Sequence, residues 1–421
     1  MTEATRFAGV RVLSGTSAAL GDPSDVLVRD GVIERISPVA EAAPADDAVR
    51  IDGNGRVLMP GLIDAHWHSM MATPPMQLLL TADLGFLNLL AAKEAEATLL
   101  RGFTTVRDMG GPSFGLRRAI DMGMNLGPRI FPSGAMISQT SGHGDFRMPY
   151  EVPRTIGGPL SHSERIGATA IADSPDEVRL RAREQLMLGA TQLKLMAGGG
   201  VASTYDPLDV SQYTEPEMRA AVEAAENWGT YVTVHAYTPR AIQMAIRAGV
   251  RSVEHGQLMD EATAALLASK GIWLCLQPFL EDEDAIPAAG ANLVKRRQMT
   301  SGTDTAYALA IKHGVRIAFG TDTLFDAGLA TKQGKQLAKL VRWFSPADVL
   351  RMATADNAEL LALSGPRNPY PGRLGVVEEG AIADLLLVEG NPLDDIGLLA
   401  DPAQNLAVIM KGGTLVKRPA A

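Results

Sequence analysis

The pattern of hydrophobic and polar positions changes twice along the chain. Over about the first sixty residues, short runs with β-branched residues alternate with Gly, Asp and Pro, which is typical of strands joined by turns. From Gly61 onward, short β-rich runs are each followed by stretches rich in Ala, Leu and Glu, and this alternation predicts βα units around a parallel sheet. After about Pro371 the strand pattern returns. An α/β region therefore lies between two all-β ends.

Eight β-rich runs can be counted in the central region. They are Gly61–His66, Phe103–Asp108, Arg129–Ser133, Gln192–Met196, Tyr231–His235, Arg251–His255, Ile272–Gln277 and Arg316–Thr321. Helices are predicted between them, for example at Ser174–Leu188, Glu215–Trp228 and Ser345–Thr354. The last of these begins with Ser-Pro, the usual order of an N-cap followed by proline at the first helical position.

The number of strands predicts the architecture. Eight strands with eight crossovers are the composition of a (β/α)8 TIM barrel, so we expect a catalytic barrel over residues 61–371. The β segments at the two termini are expected to pair with each other into a small β-sandwich domain. This split domain would comprise residues 1–60 and 372–421.

Composition and charge exclude several classes of protein. Of the 421 residues, 46% are apolar, too many for a disordered chain. The 39 basic and 48 acidic side chains give a net charge of −9, so we expect no nucleic-acid partner. Cys275 is the only cysteine, which excludes an intrachain disulfide framework and a cysteine-cluster metal site. No apolar run is long enough to span a membrane and the N-terminus lacks signal-peptide features, so a cytoplasmic protein without a membrane partner is expected, unless an export signal has been removed.

Polar residues lie at the ends of five of the eight predicted strands. In a barrel, functional side chains project from the carboxyl ends of the strands. Two histidines at i and i+2 of one strand point to the same face and can reach one cation. A single histidine at a strand end is more often a hydrogen-bonded, half-buried residue, but four of the seven histidines lie at such ends. The sequence therefore predicts a metal site formed by His66, His68, Lys194, His235, His255 and Asp322.

Lys194 is unusual because the run QLKLM places its ammonium within an apolar strand. Desolvation of that charge is costly, so beside a divalent cation the amine should be neutral or modified. Addition of carbon dioxide would convert it to a carbamate, an anionic oxygen ligand that can bridge two metals. The alternative is a lysine whose stem is buried while its amine reaches solvent.

These residues and their motifs carry a family resemblance. GLIDAHWH, Lys194, TVHAY, SVEHG and FGTDT resemble the amidohydrolase superfamily over nearly the whole chain. The resemblance implies two divalent metal ions, usually Zn²⁺, and a hydroxide that bridges them. It assigns His66, His68 and Asp322 to one ion, His235 and His255 to the other, and N6-carboxylated Lys194 to both. Asp322 would also act catalytically by taking and returning a proton.

A narrower resemblance is to the branch with bacterial Xaa-Pro dipeptidases and ochratoxin amidohydrolases. The matching segments are SGHGD, KLMAGGGVAS, HAY and TDTLFDAGLATKQG. In that branch the histidine of HGD and the tyrosine of HAY contact the substrate carbonyl or carboxylate, which implies catalytic and substrate-binding roles for His143 and Tyr237. An imidazole and a phenol beside two metals are also suitable donors to a developing oxyanion. The alternatives are a surface-loop histidine and a packing tyrosine.

The expected reaction is hydrolysis of the amide bond to a C-terminal amino acid by attack of the bridging hydroxide. The small-molecule substrate would be a dipeptide or an N-acyl amino acid of the ochratoxin A type. The same site could instead cleave a carbamate, a thiocarbamate or a lactone in a xenobiotic, and a scaffold that has lost catalysis is a third hypothesis. The resemblance further implies a homo-oligomer, for which an octamer is the expected form.

Three loops are expected to form the substrate pocket, because βα loops determine specificity on this fold. Their sequences are MATPPMQLLL, ISQTSGHGDF and QPFLEDEDAIP. Methionines in or beside them would give an apolar, adaptable lining: Met70, Met71, Met76 and Met136. Ordinary loop packing explains them equally well. An apolar leaving amino acid, such as proline or phenylalanine, fits these loops better than a charged one.

Overall fold

The computed structural model describes residues 4–39, 47–148, 151 and 159–419. Its strands are β1 (Thr5–Val12), β2 (Pro23–Arg29), β3 (Val32–Pro38), β4 (Val49–Asp52), β5 (Val57–Pro60), β6 (Leu62–Trp67), β7 (Phe103–Asp108), β8 (Arg129–Pro132), β9 (Met136–Ser138), β10 (Thr169–Ile171), β11 (Leu193–Met196), β12 (Val232–Ala236), β13 (Ser252–His255), β14 (Trp273–Cys275), β15 (Ile317–Ala318), β16 (Leu385–Val388), β17 (Leu406–Lys411) and β18 (Thr414–Lys417).

The α-helices lie mainly between the central strands. They are α1 (Met76–Leu79), α2 (Leu84–Leu100), α3 (Phe114–Asp121), α4 (His162–Arg165), α5 (Pro175–Leu188), α6 (Glu215–Asn227), α7 (Pro239–Ala248), α8 (Glu261–Lys270), α9 (Gly290–Thr300), α10 (Thr303–His313), α11 (Ala327–Ala330), α12 (Gln333–Lys339), α13 (Pro346–Arg351), α14 (Asn357–Ala362) and α15 (Pro402–Asn405). In the part of the chain that the structure describes, no helix combines the length and apolar character needed to cross a bilayer.

Strands from both ends of the chain share one eight-stranded sheet. Its order is β18-β17-β16-β5-β1-β2-β3, with β4 also paired to β1. The two ends meet where β16 runs antiparallel to β5, with Leu386 opposite Met59. Phe7, Val26 and Leu387 belong to a buried cluster of this sheet. The alternating pattern at the two termini therefore marks strands of one common sheet.

The central strands are parallel. They form a three-stranded sheet, β6-β7-β8, and a seven-stranded sheet, β10-β9-β11-β12-β13-β14-β15. Every one of the eight expected runs overlaps one of these strands, and β6 and β12 each extend one residue beyond the run, so the α/β class is confirmed. The sequence pattern missed β9 and β10, because three buried residues in each are too few to show a periodicity.

Backbone hydrogen bonds connect the two parallel sheets at both sides. On one side the amide of Ala65 donates to the carbonyl of Phe319 at 2.9 Å, which places β6 beside the segment that follows β15. On the other side the amide of Thr191 donates to the carbonyl of Pro132 at 2.8 Å. The carboxyl ends of the parallel strands thus come together around one space.

Local signals explain the three predicted helices. Helix α5 begins where the Ser174 hydroxyl accepts a bond from the amide of Glu177, and it ends at Gly189, whose φ of 101° favours glycine. Helix α6 begins with a capping box between Thr214 and Glu217. The Ser345–Thr354 prediction corresponds to α13, which then passes into a π-helical turn.

Candidate metal and substrate site

A cavity of about 470 Å³ lies at the carboxyl ends of the parallel strands. All eight residues predicted for the site line it: His66, His68, His143, Lys194, His235, Tyr237, His255 and Asp322. Strand β6 carries His66 and leads into His68, while β11, β12 and β13 carry the lysine and the other two strand-end histidines. The parallel register brings these distant positions to one end of the cavity.

Two ring nitrogens and one carboxylate oxygen converge at the floor of the cavity. The Nε2 atoms of His66 and His68 are 3.3 Å apart, and each lies 3.3 Å from Oδ1 of Asp322. Ligand atoms of His66, His255 and Asp322 also lie within 4.8 Å of one another. Two of these residues adopt a left-handed backbone that non-glycine residues rarely take, with φ of 78° at His255 and 46° at Asp322.

The other ring nitrogens of these histidines bind protein acceptors. Nδ1 of His66 lies 2.8 Å from Oε2 of Glu254, and Nδ1 of His255 lies 2.7 Å from Oε1 of Gln277. Nδ1 of His68 lies 3.3 Å from the carbonyl of Gly110. A proton held at Nδ1 leaves the lone pair on Nε2, the usual arrangement around a metal ion.

Electrostatics favour the cation-binding forms of His235, His255 and Asp322. Burial lowers the pKa of His255 to about 3 and holds that of His235 well below its ordinary value, so both rings are neutral near pH 7. Burial opposes ionisation of Asp322, but its histidine neighbours, His66 first, keep its pKa well below the usual range. Burial also lowers the pKa of Lys194, and a neutral amine is the form that adds carbon dioxide. The donor set therefore fits divalent metal ions.

Two rings lie directly above this cluster. The His143 ring stacks on that of His235, with centroids 4.2 Å apart and planes inclined by 25°. The Tyr237 ring lies 4.9 Å from that of His235 and 5.2 Å from that of His255. Burial raises the pKa of Tyr237, so its hydroxyl stays protonated and can donate a hydrogen bond. Both side chains face the space above the predicted metal ligands.

The walls of the cavity come largely from the expected loops. Met71, Met76 and Met136 line it together with residues 278–280 and 284–289 of one loop, the 278–289 loop. Met70 instead lines a smaller adjacent cavity. The acidic part of the 278–289 loop is held by lysines along α12, because Oδ1 and Oδ2 of Asp284 contact three ammonium groups: Lys332 at 2.6 Å, Lys335 at 3.0 Å and Lys339 at 3.2 Å.

The Amidohydrolase family model matches residues 57–416. The chain belongs to the amidohydrolase family. This confirms the resemblance expected from the motifs, and it makes the protein a hydrolytic enzyme that acts on carbon–nitrogen bonds.

Individual relatives of this amidohydrolase match most of its length. The ochratoxinase of Aspergillus niger is 35% identical over 384 residues, which cover 86% of this chain and 76% of that protein. A crystal structure of a prolidase complexed with N-methylphosphonate-L-proline is 36% identical, with a TM-score of 0.90, and covers 99% of this chain and all of that one. A Xaa-Pro dipeptidase with bound methionine is 28% identical, with a TM-score of 0.84, over 99% of this chain and all of that chain.

A buried network behind the amidohydrolase site was missed by the sequence reasoning. The guanidinium of Arg107 donates to Glu254 at 2.8 Å, and Glu254 in turn contacts His66. Cys275 also approaches His66 and Glu254. Because Arg107 already pairs with the carboxylate of Glu254, we interpret these three residues as a hydrogen-bonded support of the site and not as a second metal site. The SVEHG motif contains Glu254 beside His255, whereas no local signal marks Arg107 in FTTVRD.

Proposed function

We propose that this enzyme hydrolyses the amide bond that joins an acyl group to a C-terminal amino acid. The observation that carries the proposal is the convergence of the histidine, aspartate and lysine cluster with two further polar side chains, His143 and Tyr237, in one cavity. The similarity to an ochratoxinase, a prolidase and a Xaa-Pro dipeptidase supports a dipeptide or an N-acyl amino acid as the substrate.

Two divalent metal ions, most readily Zn²⁺, are part of the proposal. His66, His68 and Asp322 would hold one ion, His235 and His255 the other, and N6-carboxylated Lys194 both. Two ions supply a Lewis acid for the scissile carbonyl and an activated water. The convergence of ring nitrogens of His66 and His255 with the ionised carboxylate of Asp322 supports this assignment.

The protein groups then perform three tasks. A carboxylate oxygen of Asp322 accepts a proton from the attacking water and returns it to the leaving nitrogen. The hydroxyl of Tyr237 donates to the oxygen on which negative charge develops. The imidazole of His143 contacts the same oxygen or the carboxylate of the substrate. Asp322 and Tyr237 are buried and His143 is partly buried at the same cavity, which limits the access of water to these interactions.

The apolar walls favour an apolar leaving amino acid. Met76, Met136, Phe279 and Ile286 line the cavity. The two basic side chains at its edge already contact acidic residues: Arg296 binds Glu281 at 3.0 Å, and Lys339 binds Asp282 at 2.7 Å. A charged side chain on the substrate would thus lose water without gaining a partner. We expect proline or phenylalanine as the released amino acid.

The proposal extends to architecture and assembly. Residues 61–371 would form a closed (β/α)8 barrel, supported by the hydrogen bonds that join its two parallel sheets. Residues 1–60 and 372–421 would form a β-sandwich around their own buried cluster. We propose a homo-oligomer, with an octamer as the expected assembly; the exposed apolar side chains of Phe86 and Leu89 on α2, at 42% and 72%, support association.

A substrate panel tests the proposed reaction. The enzyme, supplied with zinc, is incubated with dipeptides, N-acyl amino acids, carbamates, thiocarbamates and lactones, and each product is quantified. We expect release of the C-terminal amino acid from the first two groups, fastest for proline or phenylalanine, and its loss in the Asp322→Asn variant. Hydrolysis confined to the last three groups would assign the site to another bond.

A further inference from the structure

The loop that carries His143 rests on the glycine run after β11. A Cβ atom at Gly200 would lie 1.9 Å from Cε1 and 2.0 Å from Nδ1 of the His143 ring. The same ring stacks on that of His235. Only glycine leaves the space that the imidazole occupies, so Gly200 in KLMAGGGVAS is explained by the position of the His143 ring.

The edge of the His143 ring is also held. Its Nδ1 lies 2.7 Å from the hydroxyl of Ser203 and 3.4 Å from Oδ2 of Asp206. The carboxylate of Asp206 is itself positioned, because its Oδ2 accepts hydrogen bonds from the amide of Gly200 at 2.7 Å and from Nε2 of Gln212 at 3.4 Å.

Asp206 makes its side-chain contacts through one carboxylate oxygen, Oδ2. The residue is 2% exposed, and its Oδ1 has no hydrogen-bond partner among the residues that the structure describes. A buried carboxylate is costly unless it interacts with a donor. Among the residues that the structure describes, His143 carries the one titratable side chain that pairs with this carboxylate, with Nδ1 3.4 Å from Oδ2. Burial opposes ionisation of Asp206, but this contact lowers its pKa.

We propose that Asp206 is a positioning residue that holds a proton on Nδ1 of His143 and so directs Nε2 toward the substrate. A carboxylate accepts from an N–H and repels a lone pair, so it favours the ring forms that carry a proton on Nδ1. The inference rests on the proposed function only for the role of His143 at the substrate. The direction of the ring and the site of its proton are properties of the enzyme alone.

Nuclear magnetic resonance of the metal-loaded enzyme labelled with ¹⁵N-histidine tests the proposal directly. The His143 signals are identified by their loss in the His143→Gln variant. We expect a proton on Nδ1 in the wild type. Asp206→Asn keeps an acceptor for the Gly200 amide but offers an N–H to the ring, so we expect the proton to move to Nε2. Ser203→Ala, the matched control, removes the other partner and should leave the proton on Nδ1.

Kinetics give a second readout on a substrate that the enzyme hydrolyses. Displacing a partner that orients a histidine costs about 10–100-fold, and we expect Asp206→Asn to lower kcat/KM by that factor while Ser203→Ala changes it little. A wild-type ring protonated only on Nε2, or a proton that moves in Ser203→Ala and stays in Asp206→Asn, overturns the proposal. Absence of amide hydrolysis would refute the proposed function and leave the resonance result to decide this inference.

Discussion

Replacing Arg107 by methionine should destabilise the fold by removing the counterion of a buried carboxylate. Arg107 and Glu254 are both fully buried. The guanidinium donates to both oxygens of Glu254, at 2.8 and 3.0 Å, to the carbonyl of Ala65 at 2.6 Å and to the hydroxyl of Tyr231 at 3.2 Å. Methionine fills much of the volume but provides none of these donors.

The size of the effect follows from burial. Removing one partner of a buried ion pair costs about 3–5 kcal/mol, because the other charge stays in a low-dielectric interior. An unfolding entropy of about 2.1 cal/mol/K per residue gives about 0.9 kcal/mol/K for 421 residues. The predicted fall in Tm is therefore about 3–6 °C. Because Glu254 orients His66, metal affinity should also fall by about 10–100-fold.

Differential scanning calorimetry of metal-loaded proteins measures this effect, and a second variant tests its cause. In Arg107→Met/Glu254→Gln the unpaired charge is gone, while the amide oxygen still accepts from the ring of His66. We expect the double variant to regain at least half of the lost Tm. If it melts below Arg107→Met, the cost does not arise from the buried charge and the reasoning is refuted.

Three further predictions concern other parts of the molecule. Lys194→Ala should lose most activity and much bound metal, with partial rescue by small carboxylic acids. Full activity of this variant without added acid would exclude a carbamate on Lys194. Gly200→Ala should lower kcat/KM by about 100-fold by displacing the ring of His143, while Gly115→Ala, where the added Cβ meets no atom within 4 Å, should not. Although burial opposes it, lysines along α12 lower the pKa of Asp284 to about 2. Its ionised form therefore stabilises the fold above about pH 4 and less as the pH falls toward 2, so the Tm deficit of Asp284→Asn should shrink over that range; a constant deficit would contradict this.

The strand ends could be predicted from the sequence because they depend on local pattern. The local sequence pattern of each βα unit predicts its strand, and parallel strands necessarily bring their carboxyl ends to one edge. His66, Lys194 and His255 could therefore be placed together without knowledge of any contact between them. The short strands β9 and β10 could not, since three residues carry no period.

The supporting residues could not be predicted, for a different physical reason. Arg107 meets Glu254 across 147 positions of the chain, and Asp206 reaches His143 from a loop on another βα unit. Such pairs follow from packing after the fold has formed, and neither member lies in a periodic pattern. The glycine run that contains Gly200 is visible in the sequence as a motif. The requirement for glycine at position 200 follows only from the structure, in which the His143 ring lies against it.

A zinc titration of the metal-free enzyme tests the central claim most directly. The release of proline or phenylalanine from a dipeptide or an N-acyl amino acid is followed as zinc is added. For a binuclear amide hydrolase we expect no release without metal, and a rate of release that rises with added zinc and levels off at two equivalents of zinc per chain. Full release from the metal-free enzyme, or none at any zinc concentration for every amide tested, would contradict the account.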